Sequence, residues 1–156
     1  MKHVEAASVS TTIQAPRELV WLALTDRESL KEFFFGADVN STWAIGDPIT
    51  FSGTYDGKSY EDKGVIVESK PGTKLSFTHW SALSGQPDSP ENYHIVTIVL
   101  GGGPDTTNVL LVQENQDGTE VGDETRRQLE KNWGGVLGGL RKTVESRLSS
   151  SPVPKR

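Results

Sequence analysis

The middle of the chain alternates between apolar and polar positions with a period of two residues. In the segment PITFSGTY, the side chains of Ile49, Phe51 and Tyr55 fall on one side, and the serine and threonines fall on the other. This alternation is typical of an antiparallel strand with one buried face. Asp-Gly at residue 56 and Pro-Gly at residue 71 then predict tight turns. With the later runs YHIVTIVL and NVLLVQEN, about five antiparallel strands are expected after residue 43.

The segments on either side of this sheet follow other patterns. HVEAASVSTTIQA is rich in β-branched residues and predicts a first strand. Pro16 suits the start of a short helix, and Asp26 suits the N-cap of a second helix that Gly36 ends. From about Asp123 to Ser149, apolar residues recur at helical spacing. The predicted order is therefore β-α-α-β(4–5)-α.

The last helix has one apolar face and is long enough to cover the sheet. At about 100° per residue, seven side chains fall within an arc of about 120°. They are Leu129, Trp133, Val136, Leu137, Leu140, Val144 and Leu148. The pattern predicts an α+β fold in which a curved antiparallel sheet wraps around the long C-terminal helix. We expect one domain over residues 1–149, followed by a flexible tail at residues 150–156.

Four glycines interrupt the last helix on its flank and far side, although each costs a helix about 1 kcal/mol relative to alanine. They are Gly134, Gly135, Gly138 and Gly139. In one interpretation another backbone approaches this glycine strip, from a loop of the same chain or from a second copy in a homodimer. In the other, burial of the opposite face stabilises the helix enough to tolerate them.

Composition narrows the classes of function. The 156 residues carry a net charge of -5, and no cluster of lysine and arginine precedes the last two residues, which argues against nucleic-acid binding. The chain has no cysteine, so disulfides and thiolate chemistry are excluded. It has no apolar run of membrane-spanning length and no signal-peptide core, so we expect a cytoplasmic protein that does not bind membranes.

The sequence contains no familiar catalytic or cofactor motif. GTYDGKS, at Gly53 to Ser59, is one residue short of a phosphate-binding loop and lies between two strands. There is no G-x-S-x-G elbow and no set of histidines and carboxylates at metal-binding spacing. Glu61 and Asp62 are interpreted as a solvated pair rather than an acid/base pair. We therefore expect no metal, no cofactor and no assigned catalytic residue.

Five segments resemble a known family in their order and spacing: APRELVWLALTDRESLKEFF, GDPITF, DGKSYEDKGVIVESKPGTKLSFTHW, TIVLGGGPDTTNVLLVQE and NWGGVLGGLRKTVES. They are similar to single-domain relatives of the activator of the ninety-kilodalton heat-shock chaperone ATPase, within the START-like, pollen-allergen-like helix-grip superfamily. The resemblance covers roughly residues 5 to 148. Two features depart from it: Phe34 or Phe35 stands where a tryptophan often follows the second helix, and the last helix is unusually rich in glycine.

The resemblance implies an apolar cavity between the sheet and the long helix. The side chains predicted to line it are Trp43, Phe51, Tyr55, Phe77, His79, His94, Val96, Ile98, Leu111, Gln113, Trp133, Leu137 and Leu140. His79 and His94 could orient a ligand or move protons, or they could be hydrogen-bonded residues of the rim. Gln113 could contact a ligand or cap the sheet edge. The tryptophans could pack the core or stack on a ligand.

Three functions remain open. The first is non-catalytic binding of a small hydrophobic molecule, lipid-like or polyketide-like, by a carrier, sensor or stress-related protein. The second is a module that interacts with a heat-shock chaperone, as the resemblance implies. The third is a cyclase or aromatase that uses the same cavity, with His79 or His94 as the acid/base.

Overall fold

A computed structural model describes residues 6–150 of the chain, with side chains to residue 148. The strands are β1 (Ala7–Ile13), β2 (Asp38–Ser41), β3 (Pro48–Tyr55), β4 (Lys58–Lys70), β5 (Lys74–His79), β6 (His94–Gly101) and β7 (Thr107–Asn115). The helices are α1 (Arg17–Leu24), α2 (Arg27–Phe33) and α3 (Asp123–Ser150). Two single turns of 3₁₀ helix, Ala82–Ser84 and Pro90–Asn92, lie between β5 and β6.

The strands form one antiparallel sheet in the order β1-β7-β6-β5-β4-β3-β2. Its inner face carries buried apolar residues such as Phe77, Val96 and Leu111, because alternate residues of a strand share a face. Trp133 and Leu140 of α3 are buried in the same core cluster. The predicted α+β helix-grip fold, with a curved antiparallel sheet around the C-terminal helix, is confirmed.

Six strands follow α2, one more than the sequence pattern predicted. The additional strand, β2, has four residues and pairs with β3 so that Val39 lies opposite Phe51. A strand this short contributes one buried apolar side chain, Val39, so it gives no visible alternation. An ion pair between Arg27 and Asp38, at 2.6 Å, connects the start of α2 to β2.

The predicted start of α2 is confirmed. The carboxylate of Asp26 accepts hydrogen bonds from the backbone N–H of Ser29 at 3.0 Å and from its hydroxyl at 2.6 Å. These two bonds lower the pKa of Asp26, since they stabilise its charged form. Asp26 therefore caps α2 as its residue type indicated.

α3 occupies the predicted range, with a different cap. The backbone N–H of Arg126 donates to the carbonyl of Gly122, so Gly122 precedes the first turn and Asp123 is the first helical residue. The helix includes Ser150, the first residue of the predicted tail. Residues 151–156 of that tail, like residues 1–5 of the predicted domain, lie outside the described residues.

The glycines of α3 divide into two groups. A Cβ atom on Gly139 would lie 2.8 Å from the Cβ of Phe33, so α2 packs directly on the α3 backbone at this position. A Cβ on Gly134, Gly135 or Gly138 would meet nothing within 4 Å. Close approach within the chain therefore accounts for Gly139, whereas the other three leave an exposed strip.

β1 is an edge strand whose free side is covered by α3. The backbone N–H of Ser8 donates to the Glu130 carboxylate at 3.0 Å, and that of Gln14 donates to Glu145 at 2.8 Å. These carboxylates satisfy donors that a neighbouring strand would otherwise pair. α3 therefore covers the outer edge of β1, so the last helix packs against the first strand.

Candidate functional site

An open cavity of about 260 Å³, here called the mouth cavity, lies between the sheet and the first half of α3. Its lining comprises Phe34, Phe35, Ala37, Phe51, Tyr60, Asp62, Phe77, His79, Ser81, His94, Gln113, Leu129, Asn132 and Trp133. Deeper in the core lies a second space of about 20 Å³, here called the inner void, which is surrounded by apolar side chains. A space of that size holds about one water molecule, so the volume available to a ligand is in the mouth cavity.

Four aromatic residues line both spaces and separate them: Phe34, Phe51, Phe77 and Trp133. We call this group the aromatic partition. The Phe34 and Phe51 rings are stacked with centroids 5.4 Å apart, and Phe34 meets Trp133 edge-on at 5.5 Å. Phe51 and Phe77 are 5.6 Å apart. Such distances are typical of favourable aromatic pairs, so the partition is a packed layer.

Trp133 is fixed by a buried hydrogen bond. Its indole Nε1–H donates to Oε1 of Gln113 on β7 at 2.6 Å. Both side chains are buried, Trp133 at 8% exposure and Gln113 at 6%. This bond satisfies the donor of the tryptophan and connects α3 to the sheet across the mouth cavity. Gln113 pairs with strands on both sides, so it does not cap the sheet edge.

Asp62 and His79 form a hydrogen-bonded pair in the wall of the mouth cavity. Nε2 of His79 lies 3.0 Å from Oδ2 of Asp62, and Oδ1 of Asp62 accepts from the backbone N–H of Ala82 at 2.9 Å. Because an ionised carboxylate only accepts, Nε2 carries the proton in this pair. The His79 ring also packs nearly perpendicular to the Phe51 ring, with centroids 5.2 Å apart.

His94 faces the same cavity with its orientation set by Asn115. The Asn115 amide nitrogen donates to Thr119 and to the carbonyl of Glu120, which directs its Oδ1 toward Nδ1 of His94 at 3.1 Å. Nδ1 is therefore the donor, and in the neutral ring Nε2 has the free lone pair. Burial lowers the pKa of His94, with the Asn115 bond opposing and His79 adding to the effect.

The structure divides the predicted lining residues between the two spaces. Six of them line the mouth cavity: Phe51, Phe77, His79, His94, Gln113 and Trp133. Eight line the inner void: Trp43, Phe51, Phe77, Ile98, Leu111, Trp133, Leu137 and Leu140. Val96 is buried in the core at 1% exposure and lines neither space.

Tyr55 is a correction, because its side chain is 70% exposed and lies outside both spaces. It shares a strand face with Phe51, but it lies at the end of the β3–β4 hairpin, paired with Lys58. Between the two, Gly53 leaves a gap on that face, and the Tyr60 hydroxyl lies 2.8 Å from where a Gly53 Cβ would be. Tyr60 therefore lines the cavity, and burial raises its pKa, with the charge of Asp62 contributing.

Sequence reasoning missed Phe34, Phe35 and Tyr60 as cavity residues, and it interpreted Asp62 as solvated, whereas the Asp62 side chain is 14% exposed and lines the mouth cavity. One signal could have found Asp62. A two-residue turn at Asp56 pairs Tyr55 with Lys58, and counting back along both strands places Asp62 opposite Phe51, as observed. Residues directly opposite each other share a face, so Asp62 points to the same side as Phe51.

Metal-binding clusters and membrane-spanning helices are absent from the described residues, 6–150. These residues contain no group of three or more His, Cys, Asp or Glu residues placed to hold a metal ion. No helix among them is long and apolar enough to cross a membrane.

An antiparallel sheet wrapped around a long C-terminal helix, with an open aromatic cavity beneath that helix, defines a domain of the helix-grip class. Residues 14–145 match the family model described as activator of Hsp90 ATPase homolog 1-like protein. The chain belongs to this family, and the resemblance seen in the sequence is confirmed. No curated protein matches the chain.

The fold of this chain is similar to those of several solved structures, and ChR145 is also clearly similar in sequence. ChR145 from Cytophaga hutchinsonii is 40% identical, with a TM-score of 0.79 over 96% of this chain and 100% of that chain. DynU16, from the dynemicin biosynthetic locus, is 20% identical with a TM-score of 0.73 over 91% of this chain and 48% of its own, so the chain spans about half its length. Aha1 from Colwellia psychrerythraea, solved as a dimer, is 18% identical with a TM-score of 0.66 over 90% and 96%. The last two show the fold alone.

Proposed function

We propose that this protein binds a small hydrophobic molecule, lipid-like or polyketide-like, in the mouth cavity without transforming it. The observation that carries the proposal is an open space of about 260 Å³ lined by aromatic rings together with a few polar groups. Ligand sites commonly combine an apolar lining with a small number of oriented polar groups. Here His94 lines the cavity, and with Nδ1 bonded to Asn115 its Nε2 is the ring nitrogen left to accept a hydrogen bond from a ligand hydroxyl.

Calorimetric titration with 2-naphthol, as an aromatic probe, and 1-decanol, as a lipid-like probe, tests this proposal. Leu129→Trp places a larger side chain in the lining of the mouth cavity, and we expect it to weaken binding by about tenfold or more. Leu110→Trp is the matched control, since Leu110 is 43% exposed and does not line the cavity. Absence of binding to the unchanged protein, or equal binding by the two variants, would contradict the proposal.

A second candidate is acid/base catalysis in the same cavity. It is favoured by the Asp62–His79 pair and by the free lone pair of His94, which line one cavity. A histidine with an accessible lone pair can take a proton next to a bound carbonyl group. The test is deuterium exchange at the α carbon of 2-tetralone in D₂O, followed by NMR. Catalysed exchange that disappears in the His79→Gln/His94→Gln double variant would support an enzyme, and exchange at the buffer rate would argue against it.

A third candidate, stimulation of a heat-shock chaperone, rests on the family match over residues 14–145. Addition of the protein to an Hsp90 ATPase assay tests it, because an activator raises the hydrolysis rate in proportion to complex formation. An unchanged rate, together with failure to co-sediment with the chaperone, would remove this candidate.

We also propose that the protein is cytoplasmic, as the sequence suggested. In addition, we propose that it forms a homodimer through the exposed strip of Gly134, Gly135 and Gly138. Sedimentation equilibrium tests the dimer, which would have twice the chain mass of 17.0 kDa. A monomer mass throughout the micromolar range would contradict it, as would an unchanged dimer after Gly135→Arg.

A further inference from the structure

We propose that Phe34 sets the size of the largest ligand that this protein binds, because its ring closes the mouth cavity off from the inner void. This inference rests on the proposed binding function and specifies which residue controls ligand length. The mouth cavity of about 260 Å³ lies just below the usual range of roughly 300–1,000 Å³ for ligand pockets. The next space available to a longer ligand is the inner void, on the other side of the aromatic partition.

Three members of the aromatic partition are held in place. Phe51 and Phe77 are 3% exposed and belong to β3 and β5. Trp133 is 8% exposed and donates to Gln113. Moving any of these rings would break sheet packing or a buried hydrogen bond.

Phe34 differs from them, because it is half-buried and lies just beyond the end of α2. Its ring makes two contacts within the partition, to Phe51 at 5.4 Å and to Trp133 at 5.5 Å. Nothing in its own side chain can form a hydrogen bond that would hold it. Of the four rings, Phe34 is therefore the one whose side chain can be shortened by substitution at least cost to the fold.

The backbone on both sides of Phe34 is constrained, so its ring acts as a plug at a fixed position. On one side, Phe33 packs against Gly139 of α3. On the other, Phe35 and Gly36 adopt left-handed backbone angles, and the N–H of Ala37 donates to the carbonyl of Phe34 at 2.9 Å. This tight turn places the Phe34 ring against Phe51 in a defined way.

The consequence for binding is a limit on ligand length. A ligand whose hydroxyl donates to Nε2 of His94 can extend its apolar part only as far as the Phe34 ring. With a smaller residue at this position, the mouth cavity joins the inner void and the ligand reaches Leu137 and Leu140. Each additional buried methylene would then strengthen binding by about three- to fourfold.

The experiment is a calorimetric titration of the unchanged protein and of Phe34→Ala with 4-ethylphenol, 4-butylphenol, 4-hexylphenol and 4-octylphenol. For the unchanged protein, we expect affinity to rise with chain length and then stop rising or fall once the mouth cavity is full. For Phe34→Ala, we expect affinity to keep rising to the longer members of the series. Phe34→Leu retains more of the packing, so affinity should increase up to an alkyl length between those of the unchanged protein and Phe34→Ala. This variant replaces Phe34→Ala in the test if the alanine variant does not fold.

Tyr55→Ala is the matched control, because it also removes an aromatic ring, whereas Tyr55 is 70% exposed and lines neither space. Its removal should leave the chain length at which affinity stops rising unchanged. The same length limit in the Phe34 variants as in the unchanged protein would overturn this inference while leaving the proposed function intact. Failure of the unchanged protein to bind any alkylphenol, including the shortest, would instead overturn the proposed function and this inference with it.

Discussion

Trp133 and Gln113 form the buried polar contact that holds the first half of α3 over the mouth cavity. Trp133→Phe removes the donor and leaves the Gln113 oxygen buried without it, which we expect to lower the free energy of unfolding by about 1–3 kcal/mol beyond the loss of ring volume. Gln113→Leu should cost a similar amount. The double variant should cost less than the sum of the two, because neither partner is then left unpaired. Urea unfolding of the three variants measures this, and strictly additive losses would contradict it.

His94 makes the stability of the fold depend on pH. Burial holds its pKa below the ordinary value of 6.5, so the unfolded chain takes up this proton more readily than the folded protein does. The stability of the folded protein that depends on neutral His94 is therefore fully present above the ordinary histidine pKa. The free energy of unfolding falls as the pH drops through that value toward the pKa of His94 in the folded protein. Comparison of urea unfolding at about pH 7.5 and about pH 5.5 should show a smaller loss in His94→Gln than in the unchanged protein. Equal losses would show that His94 does not titrate in this way.

Residue patterns located half of the phenylalanine, tyrosine and tryptophan side chains that line the mouth cavity, and they failed where strand geometry placed the side chain elsewhere. Phe51 and Phe77 follow the alternation of their strands and line the cavity. Tyr55 follows the same alternation but lies beyond the part of the hairpin that contacts the rest of the domain. Its predicted place is filled by Tyr60, across from Gly53. Periodicity gives the face of a strand, and it does not give the point along the strand at which burial ends.

Among the elements, α3 provides a matched test of why a long helix contains glycines. Gly138 has open space around it in a single copy of the chain, so at concentrations where the protein is monomeric Gly138→Ala should raise the free energy of unfolding by about 1 kcal/mol through helix propensity. Gly139→Ala should lower it, since the new Cβ would lie 2.8 Å from Phe33 and would push α2 away. Thermal or urea unfolding of the two neighbouring variants measures the difference. If Gly138→Ala and Gly139→Ala changed the free energy of unfolding equally, the close packing of α2 would not be the reason for a glycine at position 139.

The elements themselves were largely predictable, since their signals are local. The cap at Asp26, the turn at Asp56 and the period of α3 each depend on a few adjacent residues, and each is found in the structure. β2 was not predicted because it exists through its pairing with β3 rather than through its own pattern. The mouth cavity was expected only by family resemblance, because an unfilled volume depends on which side chains of distant segments fail to meet.

The negative charge of the whole protein should make the mouth cavity bind neutral ligands more tightly than anionic ones. The chain carries a net charge of -5, and the lining of the mouth cavity includes the carboxylate of Asp62 but no lysine or arginine. We therefore expect 2-naphthol to bind at least about tenfold more tightly than 2-naphthoate, since the anion meets a negative field with no cation to pair it. Asp62→Asn should reduce this difference between the two affinities. Asp105→Asn removes an equal charge from the exposed β6–β7 turn and should leave the difference unchanged. Tighter binding of the carboxylate by the unchanged protein would contradict this.

The contact between β1 and α3 has a consequence for how the protein is made. β1 leaves the ribosome about a hundred residues or more before its strand partner β7 and before the glutamates of α3 that cover its outer edge. Contacts between parts of the chain so far apart slow folding, because a long loop must close before they can form. Until β7 and α3 have been synthesised, the edges of β1 are therefore unpaired, and unpaired strand edges promote aggregation. The arrival of α3 completes the fold and covers the outer edge of β1.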